Sequence, residues 1–421
     1  MRAISAALIV CAVGCLAHGP AAKAATEKVL YSFCRQQNCA DGKQPFAGLI
    51  SVDGMLYGTT YLGGTGSCNF GCGTLFAIDP ETGAETVLHS FQFDTTDGFL
   101  PSSGLMDIGD TLYGMTRDGG SGDCYQYDPC GTVFSFDLTS DTETVLYSFC
   151  SRKNCKDGSW PNGGVIVGST LYGVTTYGGK TGLGGTLFSL KLESGVERKR
   201  YSFGYESTNG FYPEGSLIDV DGTLYGVTSQ GGTGSCYGGD IYGCGTVFSF
   251  DPKSGVETVL HSFLYGAADG TFPYAGVIEV DHTLYGTTFA GGPGNCFAQQ
   301  GATGCGTVFS LDLETGVETV LYFFCSQQNC ADGERPYAGL IDVNGKLYGT
   351  TYQGGANGWG TVFSIDLKTG KETVVYSFCS RQNCADGSLP SAGLINVNGT
   401  LYGTTNEGGA RGQGTVFSIV P

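Results

Sequence analysis

Leu401-Tyr402-Gly403-Thr404-Thr405 is one of seven near-copies of a pentapeptide that also begins at Leu56, Leu112, Leu171, Leu224, Leu284 and Leu347, spaced roughly 53 to 63 residues apart. The copies read LYGTT, LYGMT or LYGVT. Repetition at this period marks a solenoid, a propeller or an array. The order around each copy is constant: a short apolar run such as Gly393-Leu394-Ile395, a two-residue turn, the LYGTT run, a Gly-Gly loop, a GTVFS run and a TVLYSF run. That makes four strands per unit and no helix. Seven such units predict an all-β, seven-bladed β-propeller of four-stranded blades, filling residues 25–421 as a single domain.

The two ends of the chain complete one blade. Lys28-Val29-Leu30-Tyr31-Ser32-Phe33 matches the fourth strand of the other units, and Gly414 to Ile419 is a third strand lacking its fourth. The N-terminal strand therefore joins the C-terminal blade, pairing an edge that would otherwise stay open.

Turn chemistry agrees with this division. The first and second strands are joined by Asp53-Gly54, Gly109-Asp110, Gly168-Ser169, Asp221-Gly222, Asp281-His282, Asn344-Gly345 and Asn398-Gly399, dipeptides suited to two-residue hairpins with positive φ. Third and fourth strands are joined by runs such as Asp79-Pro80-Glu81-Thr82-Gly83, with Asp141 in the glycine position of blade 2. Strands are apolar or neutral on both faces, as stacked blades require: Thr361, Phe363 and Ile365 point one way, Val362 and Ser364 the other. First strands begin with small pairs such as Ala47-Gly48 and Ala392-Gly393, which suit a crowded axis.

Residues 1–24 stand apart. Arg2, an apolar run from Ile4 to Leu16 and Ala22-Lys23-Ala24 form the pattern of a secretory signal peptide. A second reading makes Cys15 the acylated residue of an envelope lipoprotein. Either way the expected location is secreted, extracellular or periplasmic. No later run is long and apolar enough for a transmembrane helix. Pro421 directly follows the last strand, so no C-terminal anchor is expected. With a net charge of −18, 72 glycines and no basic stripe, the chain is not expected to bind nucleic acid or anionic membranes.

Setting aside Cys11 and Cys15, sixteen cysteines fall into close pairs: Cys34/Cys39, Cys68/Cys72, Cys124/Cys130, Cys150/Cys155, Cys236/Cys244, Cys296/Cys305, Cys325/Cys330 and Cys379/Cys384. Each loop position holds two cysteines or none, which favours eight local disulfides. Zinc needs four converging ligands, and no Cys-x2-Cys pair exists, so no metal and no cofactor are expected. The pairs lie only in the loops from fourth strand to next blade and between second and third strands. Both emerge at the same end of a blade. One face of the disc should carry long tied loops and the other only tight turns.

That face also carries Asp-Gly-x-x-Pro before each first strand, at Asp41, Asp97, Asp157, Asp269, Asp332 and Asp386, with Asn209 in the fourth copy. A ring of carboxylates could bind cations, but Asp-Gly before Pro is also a turn that caps strand entry, and near-identical repetition favours the turn. Specificity is expected where copies differ. The two residues before each Gly-Gly do so: Tyr61-Leu62, Arg117-Asp118, Thr176-Tyr177, Ser229-Gln230, Phe289-Ala290, Tyr352-Gln353 and Asn406-Glu407. Stacking rings and hydrogen-bonding groups around a shallow depression suit a sugar or a peptide. Candidate binding residues are Tyr61, Arg117, Asp118, Tyr177, Gln230, Phe289, Tyr352 and Glu407, joined by Trp160 and Trp359. His89 and His261 replace the Tyr of the VLYSF strand, an ordinary structural position. No serine elbow, zinc-protease motif or phosphate loop is present. Asp118 and Glu407 are the least repetitive acids and the alternative catalytic pair for a carbohydrate-active enzyme.

Taken together, Gly-Leu-Ile, LYGTT, Gly-Gly, GTVF, TVLYSF and Asp-Gly-x-x-Pro resemble the tandem repeat of the bacterial choice-of-anchor GloVer proteins over Lys28 to Ile419. More distantly, the unit looks like a degenerate kelch blade. The resemblance implies an exported or surface bacterial protein and brings no catalytic residue. The expected function is a secreted, non-catalytic binding or scaffold propeller that engages an extracellular glycan or protein through its disulfide-tied face. The alternatives are a carbohydrate-active enzyme and a structural envelope or matrix component.

Overall fold

The computed structural model describes residues 25–94, 96–122, 130–205, 208–236, 242–266, 268–296 and 303–421. The expected signal segment 1–24, with Cys11 and Cys15, and Cys124 lie outside the described residues. The chain forms a seven-bladed propeller of four-stranded antiparallel sheets. The first blade comprises Ile50–Val52, Met55–Thr60, Thr74–Ile78 and Glu85–Ser90 in sequential order. In the seventh blade, Ile395–Val397, Thr400–Thr405 and Thr415–Val420 are completed by the N-terminal strand Thr26–Ser32, which pairs antiparallel with Thr415–Val420. The ring is therefore closed by the two ends of the described chain.

The local turns follow from their residues. Asp53 and Gly54, Asn344 and Gly345, and Asn398 and Gly399 all have positive φ, the conformation that two-residue hairpins require. Asp141 takes the left-handed conformation expected of the glycine it replaces, at φ 52°. The Cys-x4-Cys loops add single 3₁₀ turns, such as Gln37–Cys39 and Gln382–Cys384, in which Asn38 and Asn383 are also left-handed. Asparagine tolerates that region better than most residues.

The core lies between blades. Phe378, Tyr348 and Val362 of the sixth blade pack with Leu394, Leu401, Phe417 and Ile419 of the seventh. Each seam repeats one arrangement. The Phe ending a fourth strand meets the third-strand Phe of the next blade edge to face, from Phe33/Phe76 to Phe378/Phe417, with centroids 4.9 to 5.2 Å apart. This explains the glycine of LYGTT: a Cβ on Gly403 would lie 2.7 Å from Cζ of Phe417. The last Thr of LYGTT and the Thr of GTVF pair through their hydroxyls at 2.8 to 2.9 Å in all seven blades. Both are buried, so each satisfies the other where water cannot.

A second stitch uses the Asp-Gly-x-x-Pro element. The residue before the proline is left-handed in every blade, with φ from 55° at Gln44 to 60° at Trp160. Its N–H donates to a carbonyl of the preceding blade, as in Leu100 to Cys72, Leu389 to Trp359 and Gln44 to Gln413 across the closure. The proline ring then covers the glycine preceding that blade's third strand: a Cβ on Gly360 would meet Pro390 Cδ at 2.6 Å. The strained conformation is held because it delivers both the hydrogen bond and the ring.

Candidate functional site

The proline also fixes the site. Immediately after it, the chain runs down the wall of the axis through the small pairs, and the residue between proline and small pair faces the centre. Blade by blade these residues are Phe46, Ser102, Asn162, Glu214, Tyr274, Tyr337 and Ser391, and all seven line an axial cavity of about 670 Å³. The small pairs let the walls converge: at Gly163 a Cβ would lie 2.3 Å from the carbonyl oxygen of Gly215 in the next blade. In five blades the regular first strand begins beyond the pair, for example at Ile50 and Ile395, whereas Ser159–Val167 and Phe211–Val220 run straight through it.

The ring is lopsided. Ser102, Asn162 and Glu214 form a polar arc on three consecutive blades. Tyr274 and Tyr337 stack at 5.3 Å, and Phe46 reaches Tyr337 edge to face at 5.8 Å past Ser391. Tyr61, Arg117 and Trp160 complete the wall. Arg117 Nη1 donates to the Tyr61 hydroxyl at 2.6 Å, its guanidinium lies 4.0 Å from the Trp160 ring centroid, and its Nε is 3.9 Å from Asp118. Glu214 accepts from Asn162 Nδ2 at 2.6 Å. Burial pushes its carboxyl up to about 8, partly offset by that hydrogen bond.

The expected binding residues divide into three groups. Tyr61, Arg117 and Trp160 line the cavity. Tyr177, Phe289 and Tyr352 stand behind it: Tyr177 stacks on Trp160 at 5.1 Å, Phe289 packs on Tyr274 and Tyr337, and Tyr352 lies 6.5 Å from Tyr337. Asp118, Gln230, Glu407 and Trp359 are not among its lining. Asp118 pairs with Phe99 along the strand edge, Glu407 pairs with Ser388 through the backbone, and Trp359 is exposed. Asp118, raised by burial against the pull of Arg117, and Glu407 are not brought together in the cavity.

The disulfides tie the rim. Pairs Cys34–Cys39, Cys68–Cys72, Cys150–Cys155, Cys236–Cys244, Cys296–Cys305, Cys325–Cys330 and Cys379–Cys384 are closed. Cys130 is disulfide-bonded as well, its expected partner Cys124 lying outside the described residues. The two loop types meet on one face, since the N–H of Gly64 donates to the carbonyl of Cys39 and that of Gly409 to the carbonyl of Cys384.

The repeated aspartates serve this rim as turn acceptors. Asp386 takes hydrogen bonds from the hydroxyls of Ser380 and Tyr376 and from the amides of Ser380 and Arg381, which together hold it below the usual carboxylate range despite its burial. His89 replaces that tyrosine at 3.0 Å from Asp97, and His261 lies 3.5 Å from Asp269. With Glu143 and Glu318 these histidines and aspartates form two sets whose ligating atoms lie within 4.8 Å of one another, a spacing a divalent cation could bridge.

The axial ring escaped the sequence reading, which passed over the residue after the proline although it varies more sharply than its fixed neighbours. The same logic of variable positions inside a constant repeat would have found it.

Among curated proteins, none matches the chain in sequence. Solved structures of similar shape include an oligogalacturonate lyase in complex with manganese (13% identity, TM-score 0.49, 94% of this chain and 96% of that one). Another is a putative 6-phosphogluconolactonase from Bacteroides uniformis (13%, 0.48, 85% and 88%). A third is a nidogen/laminin complex (13%, 0.42, 72% and 89%). Identities this low carry no activity across. No helix among the described residues is long and apolar enough to cross a membrane. The model of the Gloeobacter/Verrucomicrobia repeat matches residues 19–127, 125–298 and 295–421, and with the repeat traced through all seven blades the chain belongs to that family.

Proposed function

We propose that the protein is a secreted, non-catalytic binding propeller that takes an extracellular glycan into the axial cup on its disulfide-tied face. The observation that carries this is the division of the ring after the prolines: stacked aromatic rings of blades 5, 6 and 1 oppose the polar groups of blades 2 to 4. A sugar ring presents an apolar C–H face and a rim of hydroxyls, and this cup offers a surface to each. Local disulfides hold the surrounding loops in one shape, which lowers the ordering cost of binding. Hydrolysis by a carboxylate pair needs two acids across the scissile bond. Glu214 is the one carboxylate among the described lining residues, which supports binding over turnover.

The test is calorimetric titration of residues 25–421, disulfides intact, with a panel of soluble oligosaccharides, the same samples being analysed for cleavage products. Saturable binding without products, weakened at least tenfold by Tyr337→Ala, supports the reading. Products, or binding indifferent to Tyr337, would refute it.

A further inference from the structure

We infer that the axial cup selects saccharides bearing a free amine, with the Glu214 carboxylate receiving the ammonium group; this rests on the cup being the saccharide site. Glu214 sits on the cavity wall with one hydrogen bond, from Asn162 at 2.6 Å, and takes part in none of the ion pairs among the described residues. A carboxylate enclosed in this way is costly unless a cation meets it. The one guanidinium among the described lining residues is already engaged: Arg117 lies over Trp160, donates to Tyr61 and stands beside Asp118. Its positive charge is spent on that side of the cup.

The remaining walls favour the same ligand. Tyr274, Tyr337 and Phe46 present ring surfaces to the cavity, and an ammonium gains from the negative face of an aromatic ring, more so where water is excluded. The chain carries a net charge of −18, which draws cationic ligands toward its clefts. Because burial raises the Glu214 carboxyl to about 8, the empty cup holds a proton there at neutral pH. Docking an ammonium stabilises the ionised form, so binding moves that proton off the carboxyl, to solvent where the amine arrives charged and onto the amine where it arrives neutral.

The test titrates oligomers of glucosamine against the matching oligomers of N-acetylglucosamine at pH 6.0, where the ligand amines are largely charged, in two buffers of different ionisation enthalpy. The free amine is expected to bind at least tenfold more tightly and with net proton release. Glu214→Gln, close in shape to the protonated acid, should bring the two affinities within twofold and abolish the proton release, with the melting temperature held. Equal or stronger binding of the acetylated oligomer, or a preference that survives Glu214→Gln, would overturn the inference while leaving the cup as a saccharide site. If neither oligomer binds, the inference fails. If neutral saccharides of the wider panel do not bind either, the reading beneath it fails too.

Discussion

Within each blade the threonine hydroxyls meet at 2.8 to 2.9 Å, and between blades the phenylalanine rings meet at 4.9 to 5.2 Å, in all seven copies. At the axis, one residue beyond the proline that locks those seams, the copies are Phe46, Ser102, Asn162, Glu214, Tyr274, Tyr337 and Ser391. The seam is the same because each blade must fit its neighbour, and a change in one copy would open the ring. The axial position meets no such demand. Its side chain faces a shared cavity, so it can differ from blade to blade without disturbing closure, and the repeat becomes a frame for an asymmetric site.

If the seam is the rigid part, the largest loss should follow from intruding on it. Gly360 has φ 97°, and its Cβ would collide with Pro390 Cδ at 2.6 Å and with the carbonyl oxygen of Thr351 at 2.5 Å. Gly360→Val should cost at least about 4 kcal/mol or prevent folding. Guanidinium denaturation measures this, and a loss below about 1 kcal/mol would show the seam to be more forgiving than its geometry implies.

A smaller change, inside one blade, removes one hydroxyl. Thr351 Oγ1 meets Thr361 Oγ1 at 2.9 Å and accepts the Thr361 amide at 3.2 Å. Thr351→Val keeps the shape and orphans both partners, so about 1 to 3 kcal/mol should be lost. The same change in other blades should cost a similar amount, since the pair recurs unchanged. A wide spread between copies would break the equivalence of the blades.

The seams also carry a pH signature. In six of the seven blades a fourth-strand glutamate lies against an acidic turn at the rim, and burial raises Glu27, Glu85, Glu143, Glu197, Glu318 and Glu372 to about 7. Unfolded, such groups titrate near 4.3. The folded state thus binds more protons between these values, and stability from this source is full below about pH 4, declining as pH rises through 7. Melting temperature should fall from pH 5 to pH 8. Glu372→Gln should flatten the slope slightly, as one member of the set. A melting temperature that climbs over this range would contradict the assignment.

The smallest effect should come from variable residues outside the cup. Glu407→Ala and Trp359→Ala remove side chains that do not line the cavity, so saccharide affinity should change by less than twofold. A larger loss would move the site from the axis onto the rim and restore the wider face as the binding surface.

Much of this division is visible in the sequence. The period, the Asn-Gly and Asp-Gly turns, the paired cysteines and the matching chain ends follow from local chemistry, which a repeat displays seven times over. The seam's details do not: that Gly403 makes room for Phe417, or that Gln44 and Trp160 are left-handed, depends on the neighbouring blade, which no single repeat contains. The site was half legible. Tyr61 and Arg117 could be marked because their positions vary, and Trp160 as a tryptophan in a loop of the tied face, but whether such a side chain turns toward the axis or the rim depends on how the seven blades converge. Nothing local singles out Glu214, whose surroundings are supplied by the neighbouring blades.

The measurement that bears most directly on the asymmetric cup is the affinity of one saccharide from the panel for the wild type and for two sets of variants at the same ring position. Replacing Tyr274 and Tyr337 by alanine should reduce binding at least a hundredfold, while Ser102→Ala and Ser391→Ala together should reduce it less than fivefold, with melting temperatures close to wild type throughout. Equal effects from the two sets, or binding that survives loss of both tyrosines, would mean that the axis is only where the blades meet.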